Sequence, residues 1–445
     1  MPIVLTNSRT ADSASTRLSL AVLTALISGV AAAQELPRDH FTWSAWAGLE
    51  YTDNVRHSAT DRQSDLLFAP GVLYSVLHTG TRWRIRGDGE LKLERGGENL
   101  SADPRAHASL IVDWALVPHR LYWNFQDFAE VQSIDPLAAD DPANRQQTNL
   151  FQTGPVLVFG SPRTVSGRLE AQFARAWAEH APDFDHDRHL ISAWAQRQSY
   201  PVSSYAIGLE SSEVSYNQAP RNRDFRRQDL LLRHERELPR SALSLSVGHS
   251  RIDIDSGDRL TGALARLRLR WSPDLVHEFG ALMRYELSDA GRELTQVGDL
   301  LNPFRNEPRR TLIGTEIYKL RSADLHWQRS GVRSRFRVAG FVRGYDHQLF
   351  QEQALKASQG AYASFSHELT PQMRLIASAG VERYEFEQDA RSDRDTQFGL
   401  GLEHDLTPNW KVRGGISRRL RASSEAFASY HENLVSVQMI YAGGQ

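Results

Sequence analysis

The chain has 445 residues, no cysteine and a formal net charge of −2, which excludes a disulfide framework and thiol chemistry and gives no basis for a nucleic-acid partner. A hydrophobic share of 40% and a mean hydropathy of −0.47 exclude a bundle of membrane-spanning helices. They leave room for a β-barrel, whose strands alternate apolar and polar residues and so average out as hydrophilic.

In chain order, Arg9 and Arg17 precede the apolar run LSLAVLTALISGV (18–30), and Ala31-Ala32-Ala33-Gln34 follows it. A basic start, a short apolar core and an A-x-A site read as a secretory signal peptide over 1–33, cleaved after Ala33. The competing reading is an uncleaved anchor, but the run is shorter than the roughly 20 residues that a spanning helix needs. Residues 34–445 are then a single domain outside the cytoplasm.

Beyond Gln34 the dominant signal has a period of two. FTWSAWAGLEYT (41–52) sets Phe41, Trp43, Ala45, Ala47, Leu49 and Tyr51 against Thr42, Ser44, Glu50 and Thr52. TRWRIRGDGELKLER (81–95) sets Trp83, Ile85, Leu91 and Leu93 against Arg82, Arg84, Arg86, Asp88, Glu90, Lys92 and Glu94. ALARLRLRW (263–271), HEFGALMRYEL (277–287), QFGLGLEHDL (397–406) and the final LVSVQMIYAGGQ (434–445) repeat the pattern. Alternation of this kind gives a strand one apolar and one polar face. Helical spacing is scarce.

Nine short turns punctuate the strands: LHTGT (77–81), LVPHR (116–120), GSPRT (160–164), YPVSS (200–204), LPRSA (238–242), SPDL (272–275), RSGV (329–332), LTPQM (369–373) and LTPNW (406–410). Most hold Pro or Gly beside a polar residue, the chemistry of tight hairpins. Between them lie longer polar stretches such as 131–147, 180–189 and 289–310. Short turns alternating with long loops describe a transmembrane antiparallel up-and-down β-barrel, with its short turns in the periplasm. One strand on each side of nine turns, plus the two terminal strands, gives about 20 strands, with 18 or 22 if one turn is misread. A soluble β-propeller is the rival, but its strands seldom keep one face charged throughout.

EYTDNV (50–55), SDLLFAPGV (64–72), NRQQTNLFQTGP (144–155) and KLRSADLHWQRSGVRSRFRVAGFVRGYDH (319–347) resemble outer-membrane β-barrel proteins associated with PEP-CTERM and exopolysaccharide gene clusters, related to a broader group of porin-type barrels. The resemblance extends over essentially all of residues 34–445. It implies a Gram-negative outer-membrane barrel, inserted by the barrel-assembly machinery, that conducts or anchors an exported extracellular polysaccharide. It supplies no catalytic residue and no cofactor.

The residues suggest where function would lie. Basic side chains gather near the tight turns: Arg82, Arg84, Arg86, Arg266, Arg268, Arg270, Arg333, Arg335, Arg337, Lys411 and Arg413. Acidic ones favour the loop ends, among them Glu50, Asp65, Glu94, Asp253, Asp289 and Asp389. On this reading a basic periplasmic vestibule lies below an acidic outer mouth and draws in anionic polymer. The bland alternative is that the charges only keep the lumen wet. Trp43, Trp83, Trp114, Trp271, Trp327 and Trp410 are the candidate aromatic girdle at the lipid headgroups. HAPDFDHDRH (180–189) has cation-ligand residue types but reads better as a solvated loop. No G-x-S-x-G, H-E-x-x-H or P-loop spacing occurs, so the expectation is a non-enzyme with no metal or cofactor. The leading function is a conduit or anchor for an anionic polysaccharide. The alternatives are a small-solute diffusion porin and a plugged structural or adhesion barrel.

Overall fold

The computed structural model describes residues 39–96, 103–135, 138, 142–161, 164–200, 202–218, 223–294, 315–349, 355–387 and 391–443. The expected signal peptide, Asp389 and most of the 289–310 stretch lie outside these residues. The strands, in order, are β1 His40–Thr52, β2 Asp65–Phe68, β3 Gly71–Thr79, β4 Trp83–Gly96, β5 Asp103–Val117, β6 Leu121–Ser133 and β7 Arg145–Gly160. They continue as β8 Ser166–Ala178, β9 His186–Tyr200, β10 Ser203–Tyr216, β11 Phe225–Leu238, β12 Ser241–Ile254, β13 Arg259–Trp271 and β14 His277–Asp289. A one-turn helix, α1 Ala290–Leu294, precedes β15 Ile317–Ser330, β16 Ser334–Leu349, β17 Leu355–Thr370, β18 Met373–Phe386, β19 Ser392–Asp405, β20 Trp410–Ser423 and β21 Tyr430–Gly443.

Each strand pairs antiparallel with its neighbour, and β1 pairs with β21 from Trp43↔Gly443 to Thr52↔Leu434, so the sheet closes on itself. β2 and β3 both pair with β1 and with β4, and are two halves of one stave interrupted at Ala69-Pro70. The amide of Ala69 still donates to the Gly48 carbonyl, while proline has no N–H to give. The barrel therefore has 20 staves, as the alternation and turn count predict. Closure leaves no strand unpaired along its whole length, which matters because an unpaired backbone group in lipid has no water to turn to.

All nine predicted turns connect neighbouring staves at one rim, the rim to which residue 39 and residue 443 also belong. The outward face carries Leu49, Tyr51, Leu66, Phe68, Leu91, Leu209, Leu230, Leu232, Leu325, Leu400 and Val437, all exposed. The residues between them point into the lumen. On that inner face Trp46 lies against Gly71, where a Cβ would come within 2.2 Å of the indole, so only glycine lets the ring lie there.

The 180–189 stretch differs from the expectation of a single external loop. Residues 182–184 form a short 3₁₀ turn and β9 begins at His186. Strand alternation then sends His186 to the inside and Asp187 and His189 to the outward face, which disperses the would-be ligands. Among the described residues no three His, Asp or Glu side chains are grouped to hold a metal ion.

Candidate functional site: the two halves of the lumen

The register places the predicted basic residues strand by strand. On β4, Val72↔Leu91 fixes the odd positions outward, so Arg84 and Arg86 project inward while Trp83 and Ile85 face out. On β13, exposed Leu269 and Trp271 fix Arg266, Arg268 and Arg270 inward. On β16, Trp327↔Val338 turns Arg335 and Arg337 inward, and on β20, Trp410↔Tyr441 does the same for Lys411 and Arg413. Arg82 and Arg333 precede their strands and stand exposed in the turns at the rim.

These residues do not share one electrostatic state. Arg413 Nε lies 3.1 Å from a Glu403 carboxylate oxygen, and Lys411 Nζ lies 3.3 Å from one of Asp405. Arg266 Nε is 3.1 Å from Glu286 Oε2. Among the described residues, Arg84, Arg86, Arg268, Arg270 and Arg335 form no ion pair. In the ladder, Arg268 lies opposite Ser244 and Arg270 opposite Ala242, so β12 offers them no carboxylate. Arg233 on β11 extends this basic strip: it bonds Ser246 Oγ and stacks 4.1 Å over the Trp194 ring.

The six predicted tryptophans gather at the tight-turn end of the outward face. Trp83 stacks on Trp114 at 5.0 Å with planes 4° apart, and Trp271 stacks on Phe279 at 5.2 Å. Trp327 lies 6.5 Å from Phe279, while Trp43 and Trp410 both meet Tyr441. Trp46 and Trp194 are inside instead, because each falls on the other parity of its strand. Strand phase separates the two groups, and composition does not.

The outer half of the lumen is not the acidic mouth that the sequence suggests. Its carboxylates come with cations: Glu50 and Glu94 share Lys92, at 3.4 and 2.8 Å, while Asp253 has the outward parity of Val247 and bonds Arg251 and Arg259 outside the lumen. The chain also folds inward there. After Tyr285 the end of β14 leaves the wall, crosses the inner faces of β13 to β9, and ends in α1, whose Ala290 and Leu294 lie among Leu150, Ala174, Ala176, Ala178 and Phe184. A second apolar layer joins Leu287 and Ile317 to Val214, Tyr216, Phe225, Ile252 and Ile254. A third joins Tyr318 and Leu320 to Leu355, Tyr384 and Phe386.

Between these layers runs a buried ion network that sequence reasoning missed. Arg227 Nε bonds both oxygens of Asp229 at 2.9 Å, and Arg292 reaches Asp229 at 3.3 Å and Glu286 at 3.7 Å. Arg284 holds Glu293, and Arg188 holds Asp289. Arg227 and Asp229 are 1% and 3% exposed, a burial that charged groups tolerate only when paired and hydrogen-bonded. The one available sequence cue is the unusually long stretch after β14. Its charges look like those of any solvated loop.

Outside the strands, Asp274 in the β13–β14 turn accepts hydrogen bonds from the His277 ring and from the amides of Val276 and His277. These hold its carboxyl down at about 2.

Residues 176–444 match the family described as TonB dependent receptor-like, beta-barrel. Among solved structures, the siderophore receptor PirA from Pseudomonas aeruginosa is similar at 11% identity and a TM-score of 0.40, covering 92% of this chain and 81% of that one. Acinetobacter baumannii OccAB4 is similar at 7% identity and a TM-score of 0.37, covering 92% and 99%. Pseudomonas aeruginosa OccK2 (OpdF), in complex with glucuronate, gives 8% identity and 0.37 over 90% and 98%. No curated protein matches the chain.

Proposed function

This chain belongs to the TonB dependent receptor-like, beta-barrel family and is a protein of the Gram-negative outer membrane, and on that premise we propose that its barrel passes small, negatively charged solutes. The observation that carries this reading is the set of inward arginines at the tight-turn end without ion-pair partners: Arg84, Arg86, Arg268, Arg270 and Arg335. Cations held in no ion pair, such as Arg268 and Arg270 with Ser244 and Ala242 opposite them, concentrate anions in a confined aqueous space and set which ions pass. Paired cations such as Arg413 and Lys411 add little to that field.

Export of an anionic polysaccharide, which the sequence resemblance implies, needs a lumen continuous enough for a polymer. The apolar layers and buried ion pairs of the outer half favour a smaller cargo, and the same packing keeps the plugged structural barrel in view. Planar-bilayer recordings separate these readings. Anion selectivity that falls when Arg268 and Arg270 are changed to glutamate supports the proposal. Cation selectivity indifferent to that change overturns it, and so does a barrel that never conducts. Liposome swelling extends the test to solutes: a sugar acid should enter faster than a neutral sugar of equal size.

A further inference from the structure

Strands β13 and β14 pair only from Ala265↔Tyr285 to Trp271↔Phe279, although β13 runs on to Arg259 and β14 to Asp289. The four residues of β14 beyond Tyr285 still pair with β15. They have left β13 and lie across its inner face, where a Cβ on Gly262 would come within 3.3 Å of Leu287 Cγ. Leu287 and Ile317 have the parity of outward residues such as Met283, Tyr285 and Leu325, yet they are 1% and 0% exposed. The Leu287 carbonyl, no longer in a β13 ladder, accepts a 2.6 Å hydrogen bond from Arg227 Nη1. Strand phase assigns this segment to the wall, and side-chain contacts hold it in the lumen.

One contact has the form of ligand recognition. Arg284, still in the wall, lies opposite Arg266 in the ladder, a like-charge juxtaposition that calls for carboxylates. Glu286 serves Arg266. Arg284 receives Glu293 from α1 in a two-point fork, Nη1 to Oε1 and Nη2 to Oε2 at 3.0 Å each. Ser322 Oγ takes Arg284 Nε at 3.3 Å, and Ser288 Oγ donates to Glu293 Oε1 at 2.8 Å. A planar guanidinium fork steadied by a hydroxyl is built to bind any carboxylate that reaches it.

We propose that Arg284 and Ser322 form a binding site for the carboxylate group of a solute, that Glu293 occupies it as an internal stand-in, and that a solute taking Glu293's place lets the outer end of β14 return to β13. The proposal rests on the reading of the lumen as a path for anionic solutes. The ligand binds only when Glu293 is out, so its binding free energy is differential between the two states and shifts their populations. Continuing the register sets Leu287 opposite Ala263 and Asp289 opposite Thr261, restoring Leu287 to the outward face its parity requires.

The absence of cysteine makes the two states trappable. The Ala263→Cys/Leu287→Cys pair is adjacent only when β14 lies in the wall, and the Gly262→Cys/Leu287→Cys pair only when it lies in the lumen, where a Cβ at 262 comes within 3.3 Å of Leu287 Cγ. The readout is disulfide yield in the full-length barrel in detergent, with folding checked by heat-modifiable gel mobility and with acetate against acetamide as probes. Acetate should raise the first yield at least threefold and lower the second, acetamide should do neither, and Glu293→Gln should raise the first without any ligand. Equal responses to acetate and acetamide, or a Glu293→Gln yield like that of the parent, overturn the site. The yield needs no transport, so a barrel that cross-links as expected but passes no anions refutes only the transport reading. An anion-selective barrel whose cross-linking ignores acetate refutes only the site.

Discussion

The outer half of the lumen and the half beside the tight turns are made from the same strands with the same alternation, yet they reach opposite solutions. Beside the turns Arg268, Arg270 and Arg335 project inward without ion-pair partners, and Arg335 stands exposed. In the outer half Arg227, Asp229, Glu286 and Asp289 are almost wholly buried, and each is bound to an opposite charge. The difference comes from what the lumen contains. A segment folded inward removes water from one half, and every charge it covers must then find a protein partner. The lesson is that a charged strand face fixes only that water was available to it, and the chain's own loops decide where water remains.

Substitutions should separate the halves by the size of their effects. Asp229→Ala leaves Arg227 and Arg292 buried without their shared carboxylate, and should cost about 3 kcal/mol or more, seen as a lower temperature of the heat-modifiable gel shift. Leu287→Ala should come next, at about 2–4 kcal/mol from a cavity the inner wall cannot close. It should also raise hydrogen exchange in the outer half alone. Charge reversal of Arg268 and Arg270 should change stability by less than about 0.5 kcal/mol while moving the reversal potential toward cation selectivity. A stability loss as large as that of Asp229→Ala would show that the tight-turn half is packed as the outer half is. Trp271→Ala removes a ring stacked on Phe279, a pairing worth about 0.5–1.5 kcal/mol beyond its buried area, and should leave selectivity unchanged.

The smallest effect concerns acid. Asp274 is held down at about 2 by its turn hydrogen bonds. A depressed carboxyl stabilises above its unfolded value and loses that contribution as pH falls through the folded value. The amides of Val276 and His277 should therefore keep their exchange protection on acidification from pH 7 to pH 4 and lose it near pH 2. Loss of protection already at pH 4 would contradict the geometry.

Staves, turns and the inward or outward sense of each strand are legible in the sequence because they rest on local rules. A period of two sets the faces, and Pro or Gly with a polar neighbour sets the tight turns. Arg84 and Trp83 follow from their parity alone. Leu287 breaks the rule: its phase says outward, but the partners that hold it, Ile252 and Phe225, come from strands well before it in the chain. The ion network is hidden for the same reason. Arg227 lies in FRRQDLLLRHEREL two residues from Asp229 on the same strand face, and only the fold reveals that Arg292 comes from α1 to share that buried carboxylate. The break at Ala69-Pro70 is invisible to the alternation, since both halves of that stave keep a single phase, and Pro70 alone marks it.

The ladder between β1 and β21 bears on the order of assembly. Thr52 meets Glu432 across 380 residues, so the cylinder's last seam joins its first stave to its final one. Such a long-range pairing gains nothing until nearly the whole polypeptide has arrived, and its loop-closure entropy comes due all at once. Before that moment β1 and β21 each present a bare edge able to recruit a stranger's strand. Losing β21 would thus convert a sealed cylinder into an open ribbon with two sticky margins, a failure of containment out of proportion to the fourteen residues removed.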